Sequence, residues 1–306
     1  MRTTKVPLES KTIDPEALLA IRDLELRARI VVDGLWSGLH RSPYHGFSVE
    51  FSEYRQYSPG DDLRYLDWKA LARTDREYLK IYEDETNLRC TIAMDSSKSM
   101  GFTSGSYPKS EYAKTLAATL SYFLLQQRDI VGLARFDEDV SDYLAARWRP
   151  GHLKRVFALL ERPSQGLSTN IEKTLSSLVR LCRKRGLVIL VSDFLSDAQN
   201  WRQALAHLTA MGHDVRALQI LDPAEQNLDF GKAAYWEDME SGDTLYVDPD
   251  SMRQRYRERF LARQAQLEDV FRTTGVRHQI ITTDQALDQA LLDFVRNLRG
   301  QRAARP

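Results

Sequence analysis

Asp95, Ser97 and Ser99 place three hard oxygen donors on alternate residues, directly after the apolar run Ile92-Ala93-Met94. An acid and two hydroxyls at that spacing, on a loop leaving a strand, can converge on one point. Oxygen-only donor sets in near-octahedral geometry suit Mg²⁺, with Mn²⁺ or Ca²⁺ as alternatives. Two further oxygens fall in compatible places. Thr169 lies in GLSTNI before a helical pattern, and Asp193 directly follows the apolar run LVILVS. Each residue alone has an ordinary explanation, since hydroxyls favour helix N-caps and acids commonly end strands. The conjunction is more specific: two carboxylates and three hydroxyls meet only if one fold brings three segments to the same rim. A soft metal would want cysteine or histidine, and neither is among these donors.

The elements that must position these donors are legible from periodicity. Apolar strand-like runs occur at 90–94, 130–136, 187–192, 215–221 and 276–282. Helical patterns separate them, at 109–128, 151–162, 170–185, 199–211, 251–274 and 285–298. Continuously apolar strands alternating with helices predict an α/β fold: a doubly wound, mostly parallel sheet with helices on both faces. The run 140–148 follows its neighbour after a short turn and reads as an antiparallel edge strand. Ligands of such sheets bind outside the carboxyl ends of the strands, where strand order switches. Asp95 and Asp193 both stand at such ends.

Upstream, residues 1–33 form an N-terminal segment. Within it, 14–33 read as one amphipathic helix, with Asp14-Pro15 as N-cap and first helical residue. Residues 34–87 read as a small, partly β element, and 88–300 as the main domain. Within 54–85, Asp61, Asp62, Arg64 and Asp67 interleave with Trp68. That mixture is either a polar docking surface anchored by Trp68 or a solvated face whose tryptophan is core. Residues 230–250 read as an inserted hairpin or long loop. Arginines 253, 255, 257, 259 and 263 stripe a helix and read as a solvated face, with a docking surface as the alternative.

Bulk properties exclude several classes. Across 306 residues the 43 basic and 43 acidic side chains balance, so no global field recruits nucleic acid. Two cysteines without CxxC spacing give neither a disulfide framework nor a zinc site, and both read as buried thiols. No signal peptide or membrane-spanning run is evident, so a cytoplasmic protein is expected. No P-loop, GxGxxG after the first strand or GxSxG elbow occurs.

DxSxS at 95–99, followed by Thr169 and Asp193, resembles the metal-ion-dependent adhesion site of von Willebrand factor type A domains. The resemblance covers roughly 88–298. It implies Asp95, Ser97, Ser99 and Thr169 as metal ligands, with Asp193 acting through water and a partner's acidic side chain filling the sixth position. One departure is GLST before the helix, where many members have paired glycines. The stretch YRQYSPGDDLRYLDWKALARTDREYLKIYEDE (54–85), together with MDSSKSM, is similar to the bacterial family called domain of unknown function 58. Its members are often encoded beside MoxR-type AAA+ ATPases. The resemblance implies a metal-dependent protein-interaction module, an adaptor or co-chaperone of such an ATPase. The alternative is a metal-dependent hydrolase or phosphotransferase at the same rim. Such enzymes usually carry a second acid two residues after the first, and here that residue is Ser97.

Overall fold

The computed structural model describes residues 13–40, 53–56, 71, 73, 78–81, 88–164, 169–228, 233–237 and 242–302. Asp61, Asp62, Arg64, Asp67 and Trp68 lie outside the described residues. The chain divides into two compact units, one of residues 1–38 with 88–306 and one of residues 39–87. In the second, β1 (Glu53–Gln56) pairs antiparallel with β2 (Tyr78–Ile81).

The main unit opens with α1 (Pro15–Leu19) and α2 (Leu24–His40), where one helix over 14–33 is expected. The break has a local cause. Asp14 accepts from Glu16 N to start α1, and Asp23 accepts from Leu26 N at 3.0 Å to start α2. Two N-caps nine residues apart favour two short helices over one. The second helix also runs through Gly34, in a Gly/Ser-rich passage that looks like loop. A Cβ at Gly34 would meet Ile13 Cδ1 at 3.0 Å, so glycine there lets Ile13 pack closely against the helix.

The sheet is built by β3 (Arg89–Asp95), β4 (Ile130–Phe136), β5 (Val140–Arg147), β6 (Leu187–Ser192), β7 (Asp214–Leu221) and β10 (Arg277–Thr282). Their spatial order is β10-β7-β6-β3-β4-β5. All neighbours run parallel except β4 and β5, which form the antiparallel edge. β6 is buried along its whole length, and β3, β4 and β7 beyond their first residues, as expected of strands covered on both faces.

Between the strands lie α3 (Lys109–Gln126), α4 (His152–Leu160), α5 (Ile171–Leu181), α6 (Ala198–Ala210), α7 (Pro223–Asn227), α8 (Pro249–Thr274) and α9 (Leu287–Arg302). One face of the sheet is a single apolar cluster in which Ala93, Ala134, Leu190 and Ala217 meet Leu175, Leu178, Trp201, Leu205, Leu267 and Phe271, so α5, α6 and α8 cover it. α3, α4 and α9 lie on the other face. α2 is fastened to α3 by Arg27, whose guanidinium donates to Glu111 Oε2 at 3.1 Å and Thr115 Oγ1 at 3.2 Å.

Within 230–250, β8 (Ala234–Glu237) pairs antiparallel with β9 (Thr244–Val247). Cys90 and Cys182 are buried free thiols. No helix among the described residues is long and apolar enough to cross a membrane.

Close approach at the start of β6 gives one direct test of the sheet. A Cβ on Gly186 would sit 2.3 Å from the Arg89 carbonyl oxygen, which is backbone and cannot swing away. Gly186→Ala should therefore cost about 2 kcal/mol in denaturant unfolding, the range of overpacked cores. An unchanged midpoint would contradict this packing of β3 on β6.

Candidate functional site

Strand order reverses around β3: β4 lies to one side and β6 to the other. The carboxyl ends of β3 and β6 therefore flank the switch point, and Asp95 and Asp193 stand at those two ends. Of the sheet's strands in chain order, β3 is the first and β6 the fourth. That is the placement expected for the DxSxS loop and the second acid of a von Willebrand factor type A fold.

The first loop is fixed by its own backbone and by β4. Asp95 Oδ1 accepts from Ser97 N at 2.9 Å, while Ser96 N and Oγ both donate to the Phe136 carbonyl, at 2.7 and 2.8 Å. This turn brings Ser97 Oγ to 3.1 Å from Ser99 Oγ. Ser97 precedes a 3-10 turn (Lys98–Gly101) yet makes no side-chain cap bond. Thr169 does not cap α5 either: that role belongs to Asn170, whose side chain accepts from Lys173 N. Thr169 itself is half-buried, two residues before the helix begins.

Asp193 is aimed by strain offset by packing. The next residue, Phe194, has φ of +54°, a left-handed conformation costly for a non-glycine residue. It is held there by ring contacts with Trp201 at 6.0 Å and Phe271 at 5.4 Å, and by Arg263, which donates to its carbonyl. Gln219 Nε2 on β7 donates to the Asp193 carbonyl at 3.2 Å.

Electrostatics dominate the site. Asp95 and Asp193 are 0% and 1% exposed. Burial, then the charge of Asp193, pushes the Asp95 carboxyl up to about 7, against the opposing hydrogen bonds from Ser192 and Ser97. Ser192 Oγ donates to Asp95 Oδ2 at 2.6 Å. Lys109, the first residue of α3, is fully buried and donates to Asp193 Oδ2 at 2.8 Å and Glu225 Oε1 at 2.7 Å. Burial works against its ammonium, but Asp193 and Glu225 outweigh that and hold it charged. Glu225 belongs to the capping box that starts α7, where Asp222 N donates to its Oε2 at 2.8 Å.

Lys109, Glu225 and Ser192 were not legible as site residues. The box Asp222-x-x-Glu225 announces a helix start, but nothing local marks its glutamate as a lysine partner 116 residues away.

The donor set fits a hard cation. Adjacent oxygens of an octahedral Mg²⁺ shell are about 3.0 Å apart, from a metal–oxygen distance of about 2.1 Å. The two serine hydroxyls are at 3.1 Å. Asp193 Oδ2 accepts from Lys109 and Oδ1 from Leu195 N at 3.4 Å, so a water between Asp193 and a metal fits better than direct ligation. Among the described residues no group of three or more His, Cys, Asp or Glu could hold a metal, so hydroxyls must supply part of any shell. Lys98 and Leu195 stand exposed on the same two loops.

Comparison with known proteins places the chain. It is 27% identical over 294 residues to the uncharacterized proteins Rv1480 of Mycobacterium tuberculosis and Mb1516 of Mycobacterium bovis, covering 94% of this chain and 91% of each of those. Among solved structures it is similar to BatB from Bacteroides thetaiotaomicron, with a TM-score of 0.48 and 16% identity over 69% of this chain and 98% of that one. It is also similar to the SpRpn10 VWA domain, with a TM-score of 0.40 and 10% identity over 67% of this chain and 94% of that one. A family model, "Protein of unknown function DUF58", matches residues 53–270, more than half of the sequence, and the chain belongs to that family.

Proposed function

We propose that the chain is a metal-dependent protein-interaction module and a partner of a MoxR-type AAA+ ATPase. Asp95, Ser97, Ser99 and Thr169 would hold Mg²⁺, with Asp193 contributing through water. The bound ion would supply an open coordination position for a carboxylate of the partner. The protein's own part is to orient: β3 and β6 present the donors at one rim, and Lys109 fixes the rotamer of Asp193. Lys98 and Leu195 give the docked partner a charge and an apolar contact beside the ion.

The observation that carries this reading is the pair of buried Ser97 and Ser99 hydroxyls at octahedral-edge spacing beside two carboxylates. Hydrolysis or phosphotransfer at the same rim is the weaker reading, because Ser97 occupies the position of the second acid.

Titration with Mg²⁺ or Mn²⁺ should raise the melting temperature by mass action, and Asp95→Ala should abolish the rise. The same ATPase should co-purify with the wild-type protein in Mg²⁺ and be lost in chelator. Equal melting shifts in both proteins would remove the metal from this reading. Recovery of the ATPase indifferent to chelator and to Asp95→Ala would remove metal-mediated docking.

A further inference from the structure

On the face of the sheet covered by α9, Arg216 of β7 and Arg277 of β10 are register partners. Strands in a sheet lie about 4.8 Å apart, so the two side chains leave neighbouring Cα positions on the same face. They line a cleft of about 400 Å³ with Leu218, Gln279, Phe294 and Asn297. Arg216 is 3% exposed, and an arginine so buried ordinarily has its donors satisfied. Here it makes one ion pair among the described residues, Nη2 to Asp214 Oδ2 at 3.1 Å, and its Nε has no hydrogen-bond partner among them. Phe294 lies 6.0 Å from the guanidinium carbon and fixes its plane. Arg277 reaches the end of the cleft, where Nη1 donates to the Asn297 carbonyl at 3.2 Å. Beyond it, Asp293 and Arg296 of α9 line the neighbouring groove.

Like charges directly opposite one another on one sheet face are unfavourable. The acid paired with Arg216, Asp214, has its side chain 35% exposed, so solvent screens much of its charge. We propose that the Arg216–Arg277 cleft is a binding site for an oxyanion, a phosphate or carboxylate group of a small molecule. Planar forks bind such groups bidentately, and a shared oxyanion converts the repulsion between the arginines into two charge-assisted contacts. The site lies toward the amino ends of β7 and β10, whereas Asp95 and Asp193 stand at carboxyl ends. It is thus a second site, independent of the metal reading.

The test uses the full chain in chelator, with inorganic phosphate and succinate as separate probes, and with chloride at matched ionic strength as reference. Saturable rises in melting temperature are expected with one or both probes. A response to phosphate alone assigns a phosphate group, and a response to succinate alone a carboxylate. Arg277→Gln, at the half-buried edge strand, should weaken the half-saturation concentration by about tenfold. Arg277→Lys keeps the charge without the fork and should restore the affinity only in part. Circular dichroism confirms that both variants are folded. Shifts matched by chloride, shifts unchanged in Arg277→Gln, or no saturable shift with either probe would overturn the proposal.

Discussion

Asp95→Asn is expected to make the metal-free protein more stable at pH 8, by roughly 3 kcal/mol, while abolishing its response to Mg²⁺. The buried Asp95 carboxyl is pushed up to about 7 from 3.8 by desolvation and by Asp193. The folded state therefore binds the Asp95 proton more tightly than the unfolded chain. Stability linked to this group is full below about pH 4, falls as pH rises toward 7, and is constant above. Asparagine removes the buried charge and keeps an oxygen to accept from Ser97 N, so the variant should lose that slope. Its gain over wild type should shrink as pH is lowered toward 4. Urea unfolding of both proteins in chelator, at several pH values, measures this directly. A variant less stable than wild type at pH 8 would contradict the account. His278, held near 4 by burial, works the other way: its neutral form favours the fold above 6.5 and loses that advantage as pH falls. It is common to both proteins and cancels in the difference. A buried site carboxylate that destabilises its own fold is a familiar exchange of stability for function. On the proposed reading, in which Asp95 is a ligand, metal affinity should also rise with pH up to about 7, because the ion would have to displace the Asp95 proton.

The second large effect is expected at Lys109. Lys109→Met keeps the length and burial of the side chain but leaves Asp193 and Glu225 facing one another without a cation. Removing one partner of a buried ion pair costs roughly 3–5 kcal/mol. The variant should be marginal in chelator and should regain more stability from Mg²⁺ than wild type does, since the ion would then supply the missing positive charge. Unfolding midpoints with and without Mg²⁺ for both proteins test this. Equal midpoints in chelator would mean that Lys109 does not neutralise the site.

Both residues also mark what could be read from sequence. The rim positions of Asp95, Ser97, Ser99 and Asp193 are legible because strand ends are legible. A run such as LVILVS predicts a buried parallel strand, and the topology of such sheets sends its carboxyl end to the rim. Lys109 was not, because a lone lysine at a helix start reads as solvated, and its partners lie 84 and 116 residues away. The single helix expected at 14–33 failed for a local reason, the second cap at Asp23. Arg263 belongs to a helical stripe that reads as solvated, yet it donates to the Phe194 and Ser196 carbonyls. Helical periodicity fixes which residues share a face but not which neighbouring loop ends in open carbonyls.

The main unit is discontinuous along the chain, with residues 39–87 interposed between α2 and β3. During synthesis this imposes a delay. Leu18, Leu24, Ala28, Val31 and Leu35 are buried in the finished fold, and Arg27 binds Glu111 and Thr115 on α3. The end of α3, Gln126, is made 91 residues after Leu35 (126 − 35). At roughly 5–20 residues per second, the first two helices wait on the order of 5–20 s with an uncovered apolar stripe. The interposed unit lengthens that interval, and a chain lacking it would close the amino-terminal helices onto the sheet sooner.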